Sequence, residues 1–204
     1  MTVNGDPVPD GLADEAAIKA DVRAVELPAT GAAATATAAA KPAGTGPAAE
    51  TAGGIAGRVF ATLPGRWVLN RVIEPGLGTA TGVATFAEAG SGRLHYREDV
   101  ELRLATGHVG DAYREYEYVL EPDGRIRVLL ADGATMHLLS FDLEGTDPAG
   151  PVWSAADVHD CLADQYRGTY RLDQQGVLKV DMKVDGPAKD YRIVTEYRRD
   201  QPPS

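Results

Sequence analysis

The sequence predicts an all-β protein: one antiparallel up-and-down β-barrel of about 8–10 strands, preceded by a long tail. Three observations predict it. Segments of alternating apolar and polar residues follow one another from Trp67 onward. Turn signals separate them at short intervals: Glu-Pro-Gly at 74–76, Ala-Gly-Ser-Gly at 89–92, Pro-Asp-Gly at 122–124 and Asp-Gly at 132–133. Helical periodicity is almost absent between the strands, so the long crossovers that parallel strands require are missing.

The first quarter reads differently. Ala29 to Ala49 is ATGAAATATAAAKPAGTGPAA, in which Thr, Gly and Pro interrupt the helix-favouring alanines. All eight tyrosines, both tryptophans and all three phenylalanines lie beyond residue 56. A segment with so little apolar bulk cannot offset its ordering entropy. Residues 1–56 are therefore expected to be a disordered tail, 57–199 the barrel domain, and 200–204 a flexible C-terminus. Within the tail, Asp10 to Leu27 has the spacing of a short amphipathic helix, with Leu12, Ile18, Val22 and Val25 as sparse anchors. It reads either as a docking peptide or as a tolerated extension.

The strands follow in order. Arg58 to Leu63 reads as a short helical turn stopped by Pro64. The expected strands are Trp67–Ile73, Thr79–Phe86, Arg93–Leu104, Asp111–Leu120, Arg125–Leu130, Thr135–Leu143, Gln165–Leu172, Val177–Val184 and Asp190–Arg198. The remaining link, Glu144 to Asp164, is expected to be one long loop over the barrel mouth. One polar face per strand suits a single curved sheet, with a two-sheet sandwich as the alternative.

Charge and cysteine content limit the function classes. The chain carries 20 Lys and Arg against 30 Asp and Glu, a formal charge of −10. This opposes nucleic acid and anionic membrane surfaces as partners, which need a basic face. Protein partners are not legible. A single cysteine, Cys161, implies no internal disulfide. With no apolar run of about 18 residues and no signal-type start, the expectation is a soluble, cytoplasmic protein.

Alternation also turns several polar residues inward. Glu98 shares a face with Leu94, Tyr96, Val100 and Leu102, and Arg114 shares one with Tyr116, Tyr118 and Leu120. A lone buried charge is very costly, so these two are expected to face each other on neighbouring strands. The pair reads as structural, or as an arginine that receives a carboxylate-bearing ligand. His137 aligns with Leu139 and Phe141. Asp164 aligns with Tyr166, Gly168 and Tyr170, and Lys189 with Tyr191, Ile193, Thr195 and Tyr197. His95 and His108 fall on an outer face and in a turn.

The candidate ligand-binding set is thus Glu98, Arg114, Tyr116, His159, Cys161, Tyr170, Lys189 and Tyr191. The candidate catalytic set is His137, Asp164 and Tyr166. Gly168 is expected to leave room opposite it. His159, Cys161 and Asp164 sit close together in sequence, which suggests a metal site completed by His137 or a Cys–His pair. The spacing matches no common zinc pattern, and a cysteine there also serves as a small, semi-buried core residue. Gly186-Pro187-Ala188-Lys189 reads as a tight turn that holds Lys189 at the rim.

Two resemblances add to this reading. Gly65-Arg66-Trp67, opening the first strand after a helical turn, resembles the G-x-W start of lipocalin-like (calycin) barrels. That resemblance implies a Trp plugging the closed end and an arginine of the last strand, Arg198 or Arg199, packed over it. A longer pattern is more specific: Tyr96-x-Glu98, Arg114-x-Tyr116, Met136-His137, His159-x-Cys161-x-x-Asp164-x-Tyr166-x-Gly168 and Gly186-Pro187-x-Lys189-Asp190-Tyr191, in this order. Over Leu63 to Arg199 it resembles the bacterial small-barrel family catalogued as domain of unknown function 6314. Met136 and Asp181 depart from the pattern, at or beside positions where aromatics are expected. The resemblance implies a fold and a candidate site, and no activity.

Four functions are compatible with these residues. The first is binding of a small, partly apolar, anionic molecule by Arg114 and Lys189 under tyrosines. The second is an isomerase-, cyclase- or lyase-type enzyme using His137, Asp164 and Tyr166 as acid and base. The third is haem binding resembling nitrobindin, with His137 or His159 as axial ligand. The fourth is an interaction domain with a filled core. No cofactor is expected on the first reading.

Overall fold

The computed structural model describes residues 49–147 and 150–200. Residues 1–48 of the expected tail, with the Asp10–Leu27 segment, and 201–204 of the expected C-terminal extension lie outside the described residues. Helix α1 (Ala49–Thr62) leads into eleven strands: β1 (Gly65–Glu74), β2 (Gly78–Glu88), β3 (Arg93–Leu104), β4 (Val109–Leu120), β5 (Ile126–Leu129), β6 (Thr135–Leu139), β7 (Asp142–Asp147), β8 (Gly150–Cys161), β9 (Asp164–Leu172), β10 (Leu178–Gly186) and β11 (Lys189–Arg199). All belong to one antiparallel sheet in the order β6-β5-β4-β3-β2-β1-β11-β10-β9-β8-β7. The sheet curls into the barrel that the alternation predicts.

Two expectations are corrected. The helix is longer than the turn expected at Arg58–Leu63 and begins at Ala49. Its buried residues Ala56, Val59 and Phe60, with Leu63 just past its end, repeat at three- and four-residue spacing, but two are small or β-branched, so the stripe is faint in the sequence. The link Glu144–Asp164 is not a loop. It contains the end of β7 and all of β8, and the expected strand Thr135–Leu143 divides at Ser140–Phe141 into β6 and β7, so the nine expected strands become eleven. Its short residues and irregular register, with a shift between Leu143 and Gly145, mask the period-two pattern.

The edges of the sheet are consecutive in the chain. β6 pairs with β5, β7 pairs with β8, and only Ser140 and Phe141 separate them. Because β5 and β8 run the same way, β6 and β7 form one descending run that changes partner midway. Phe141 turns into the core at that point. The two ends of the ladder therefore meet along one stretch of chain, and this closes the sheet on itself.

One end is plugged. Trp67 is fully buried, donates its indole N–H to the Leu63 carbonyl at 2.9 Å, and lies under the Arg199 guanidinium at 4.1 Å. Arg199 also donates to the carbonyls of Pro64, at 2.5 Å, and Thr62, tying the last strand to the end of α1. The arginine over the tryptophan is thus Arg199, not Arg198, which bonds Glu196 on the outside.

β2 and β3 pass very close to one another at Gly82. It pairs with Val100 of β3, and a Cβ there would lie 2.1 Å from the Asp99 carbonyl oxygen and 2.7 Å from the Val100 Cα. Backbone cannot move aside as a side chain can, so only glycine allows this approach. Gly82→Ala is expected to destabilise the barrel by about 1–3 kcal/mol, read as a lowered urea midpoint. An unchanged midpoint would show that the sheet does not need this close approach.

Candidate functional site

Inside the barrel, β1 and β3 present a buried charge pair. The burial pattern of β1 sends Trp67, Leu69, Arg71 and Ile73 inward, and that of β3 sends Leu94, Tyr96, Glu98 and Val100 inward. Glu98 lies opposite Arg114 in the β3–β4 register, as the alternation predicts. Its main partner, however, is Arg71. Nη1 and Nη2 of Arg71 donate to the two Glu98 carboxylate oxygens at 2.7 and 2.8 Å, while Nε donates to the Thr195 hydroxyl at 2.8 Å. Arg114 Nε stands 3.9 Å from the same carboxylate. Two guanidiniums thus converge on one carboxylate, and the formal charge of the three is +1.

Tyrosines complete the network. The Tyr96 hydroxyl donates to Glu98, and the Tyr197 hydroxyl lies 3.0 Å from Tyr96. Since the Tyr96 proton is committed to Glu98, Tyr197 is the donor in that second bond. Burial alone would push the Glu98 carboxyl up; Arg71 and Arg114 outweigh it and hold the group at about 2. Burial pushes Tyr197 up to about 12 and raises Tyr96, Tyr118 and Tyr170 well above the ordinary phenol value, so these phenols stay protonated.

A cavity of about 40 Å³ adjoins this network. Its walls include Arg71, Arg114, Tyr116, Tyr170, Met136 and Met182. It has room for water or a small head group and is far below the roughly 300–1,000 Å³ of a typical ligand pocket. The larger concavity, about 460 Å³, is an open trough on the outside of β2–β4 beside Thr81, Asp99, Glu101 and Tyr113. Its Asp99 and Glu101 are already bonded by Arg97 and Arg103, and it shares nothing with the polar interior.

Above the cavity the wall is incomplete. β5 pairs only with Glu117–Leu120 of β4, and β7 only with Gly150–Ser154 of β8. Among the described residues, the upper parts of β4 (109–116) and β8 (155–161) therefore have no ladder partner on their facing sides. The result is a notch, a break in backbone pairing between two strand edges that the Leu138 N–H bridges at Asp157. Arg114 and Tyr116 lie on one of them, His159 and Cys161 on the other.

The remaining candidates separate into two groups. His137 is fully buried where β6 meets β8 and β9. Its Nδ1 lies 2.8 Å from the Tyr170 hydroxyl and its Nε2 3.3 Å from the Tyr166 carbonyl oxygen. Gly168 does make room, and the His137 ring fills it: a Cβ on Gly168 would lie 2.5 Å from Cε1. At the mouth, Lys189 Nζ donates to the Tyr166 hydroxyl at 2.6 Å and pairs with Asp164 at 3.0 Å. His137 meets the backbone of Tyr166, so His137, Asp164 and Tyr166 do not converge as one acid–base set.

His159 packs beside the Tyr166 ring, with centroids 6.1 Å apart. Cys161 is exposed at the end of β8, opposite Asp164, rather than semi-buried. Among the described residues no three His, Cys, Asp or Glu side chains gather as a metal set would. Tyr191 is buried beneath the rim. Sequence reasoning missed Arg71, Thr195, Tyr197 and Asp157. For Arg71 the signal was present: it alternates in step with Trp67, Leu69 and Ile73.

These features define an antiparallel β-barrel with a polar, cationic inner wall and a break in backbone pairing on one side. The chain belongs to DUF6314, a family of unknown function, whose profile matches residues 63–199. No curated protein matches it. Among solved structures it is similar to a redesigned β-barrel, mFAP1, bound to DFHBI, at 12% identity and TM-score 0.39 over 70% of this chain and 99% of that one. A fluorescence-activating β-barrel of de novo design gives 12% and 0.39, over 70% and 97%. The S-type phycobiliprotein lyase CPES from Guillardia theta gives 10% and 0.30, over 76% and 98%. No helix among the described residues is long and apolar enough to cross a membrane.

Breaking the central pair from one side leaves a buried guanidinium. Glu98→Gln is expected to cost about 3–5 kcal/mol, with much of it recovered in Arg71→Met combined with Glu98→Leu. The folded carboxyl is held below its ordinary 4.5, so its stabilisation is present above that value and is lost as pH falls toward about 2. Denaturant titrations at a series of pH values would show this slope in the wild type and its loss in Glu98→Gln.

Proposed function

We propose that the barrel binds a small organic anion, with its head group at Arg114 and its partly apolar body in the notch. The observation that carries this reading is the convergence of two buried guanidiniums on a single carboxylate beside a cavity walled by tyrosines. Arg71 is committed bidentately to Glu98 and fixed by Thr195. Arg114 is 14% exposed and stacks toward the Tyr116 ring at 5.8 Å, which orients its planar fork. A carboxylate or comparable oxyanion matches that fork. Tyr116 and Tyr170 supply hydroxyl donors and ring faces. Met136 and Met182 are flexible side chains that can yield to a larger body.

The haem reading fits less well. Both ring nitrogens of His137 are engaged, and the adjoining cavity is too small for a porphyrin. An acid–base reading is better supported at Lys189, Tyr166 and Asp164, which share a chain of hydrogen bonds, than at His137.

Native mass spectrometry of the purified protein is expected to show a co-purifying acid. A thermal-shift panel of one-ring carboxylates against their amides and amines is expected to raise Tm for the acids only. Arg114→Gln is expected to abolish that shift while keeping the fold, since Glu98 retains Arg71. Equal shifts for acids and amides, or an undiminished shift in Arg114→Gln, would remove the anion reading.

A further inference from the structure

The barrel has one seam that is not a backbone ladder. β6 lies beside β8, and the hydrogen bond across them runs from the Leu138 N–H to the Asp157 carboxylate, at 2.6 Å. The register of β6 also slips here: Val128 pairs with His137 and Leu129 with Thr135, so Met136 is the extra residue of a bulge. The bulge buries two consecutive side chains, Met136 in the cavity wall and His137 against β9. His137 reaches past Gly168 to bond both a side chain and the backbone of β9. It is the side chain that fastens β6 to the opposite wall.

The tautomer follows from its partners. The Tyr166 carbonyl only accepts, so Nε2 carries the proton. Nδ1 then accepts from the Tyr170 hydroxyl. A second proton on Nδ1 removes that acceptor, forces the Tyr170 O–H to turn away, and places a charge in a buried site. The groups that face His137 from the neighbouring elements are Tyr166 and Tyr170 of β9, and Asp157 and His159 of β8; β5 presents the apolar Val128. Asp157 favours the cation, but its carboxylate already accepts from Leu138, and His159 opposes it.

We propose that His137 is a pH-sensitive clasp: its protonation releases β6 from β8 and β9 and joins the interior cavity to the notch above. Burial lowers the affinity of His137 for a proton in the closed barrel. By linkage, the open seam takes up the proton more readily, so opening increases as pH falls below the ordinary imidazole value of 6.5. Met136 and Tyr170 line the cavity and flank the clasp, so an open seam exposes the same space in which the anion is placed. That consequence rests on the binding reading. The clasp itself does not.

Hydrogen exchange read by mass spectrometry on the full chain at pH 7.5 and 5.5, corrected for intrinsic exchange, tests the clasp without any ligand. Peptides covering 135–143 and 155–161 are expected to open more at the lower pH, by up to about tenfold per pH unit, while β1 and β2 stay unchanged. In His137→Gln the pH response is expected to vanish, whether the seam is then held shut or open at both values. In Asp157→Asn it is expected to persist. Should His137→Gln fail to fold, an NMR titration of the wild-type His137 Cε1 proton is expected to track the onset of exchange. A seam whose exchange ignores pH, or a response that survives in His137→Gln, overturns the clasp. An opening seam together with failed acid binding would retain the clasp and discard the anion reading.

Discussion

The bond between Arg71 and Glu98 sets the terms for the rest of this barrel. Both side chains are essentially withdrawn from water, and each is tolerable there only because the other meets it bidentately. That geometry fixes which way β1 and β3 face. Residues alternate strictly on a strand, so a one-residue slip of either would send its charge outward and the flanking residues of the same strand inward. Thr195 and Tyr197 extend the same constraint to β11. Four of the eleven strands, counting β4 through Arg114, are thus placed in register by one polar cluster. An apolar core of similar volume would stabilise comparably but would tolerate more arrangements.

Closure follows a different logic. A sheet this long has two edges to protect, and it protects them by making them neighbours in the chain. The turn at Ser140 and Phe141 passes the descending strand from β5 to β8. What the switch leaves unpaired, side chains must join, and His137 and Asp157 do so. The cost is local: on either side of the short β5–β6 hairpin, the upper edges of β4 and β8 lose a backbone partner. The notch is therefore a consequence of how the barrel closes, and it lies directly over the most polar part of the interior.

Most of the scaffold was legible because period two is a strong signal where strands are long. β3 is the clearest case, and its inward Glu98 pointed at once to an internal cation. The cation named first was Arg114, because it sits on the strand that follows in sequence. Arg71 comes from β1, on the far side of β2 from β3, and a pairing that skips a strand is not reported by any pattern along the chain. The stretch from Glu144 to Asp164 reads as a loop in the sequence because its small and acidic residues break the alternation. Its consequences were larger: with β8 in place, His159 and Cys161 become strand residues at an edge, and Asp157 becomes part of the seam. His137 was recognised as inward-facing, but its partners depend on a bulge at Met136 that only tertiary packing specifies.

The interior is graded along the barrel axis, and the proposed binding rests on that grading. Trp67, covered by the Arg199 guanidinium, plugs one end. The middle carries charges, but each hydroxyl and carboxylate there has a partner, and none of the buried polar side-chain atoms described is left without one. A barrel that needed only a core would end its polarity there. Arg114 stands at the upper margin of the cluster, on the stretch of β4 beyond the reach of β5, with Tyr116 beneath it and Met136 and Met182 among the residues that line the same cavity. The proposed binding of an anion rests on this guanidinium, placed on a strand edge and oriented by the Tyr116 ring.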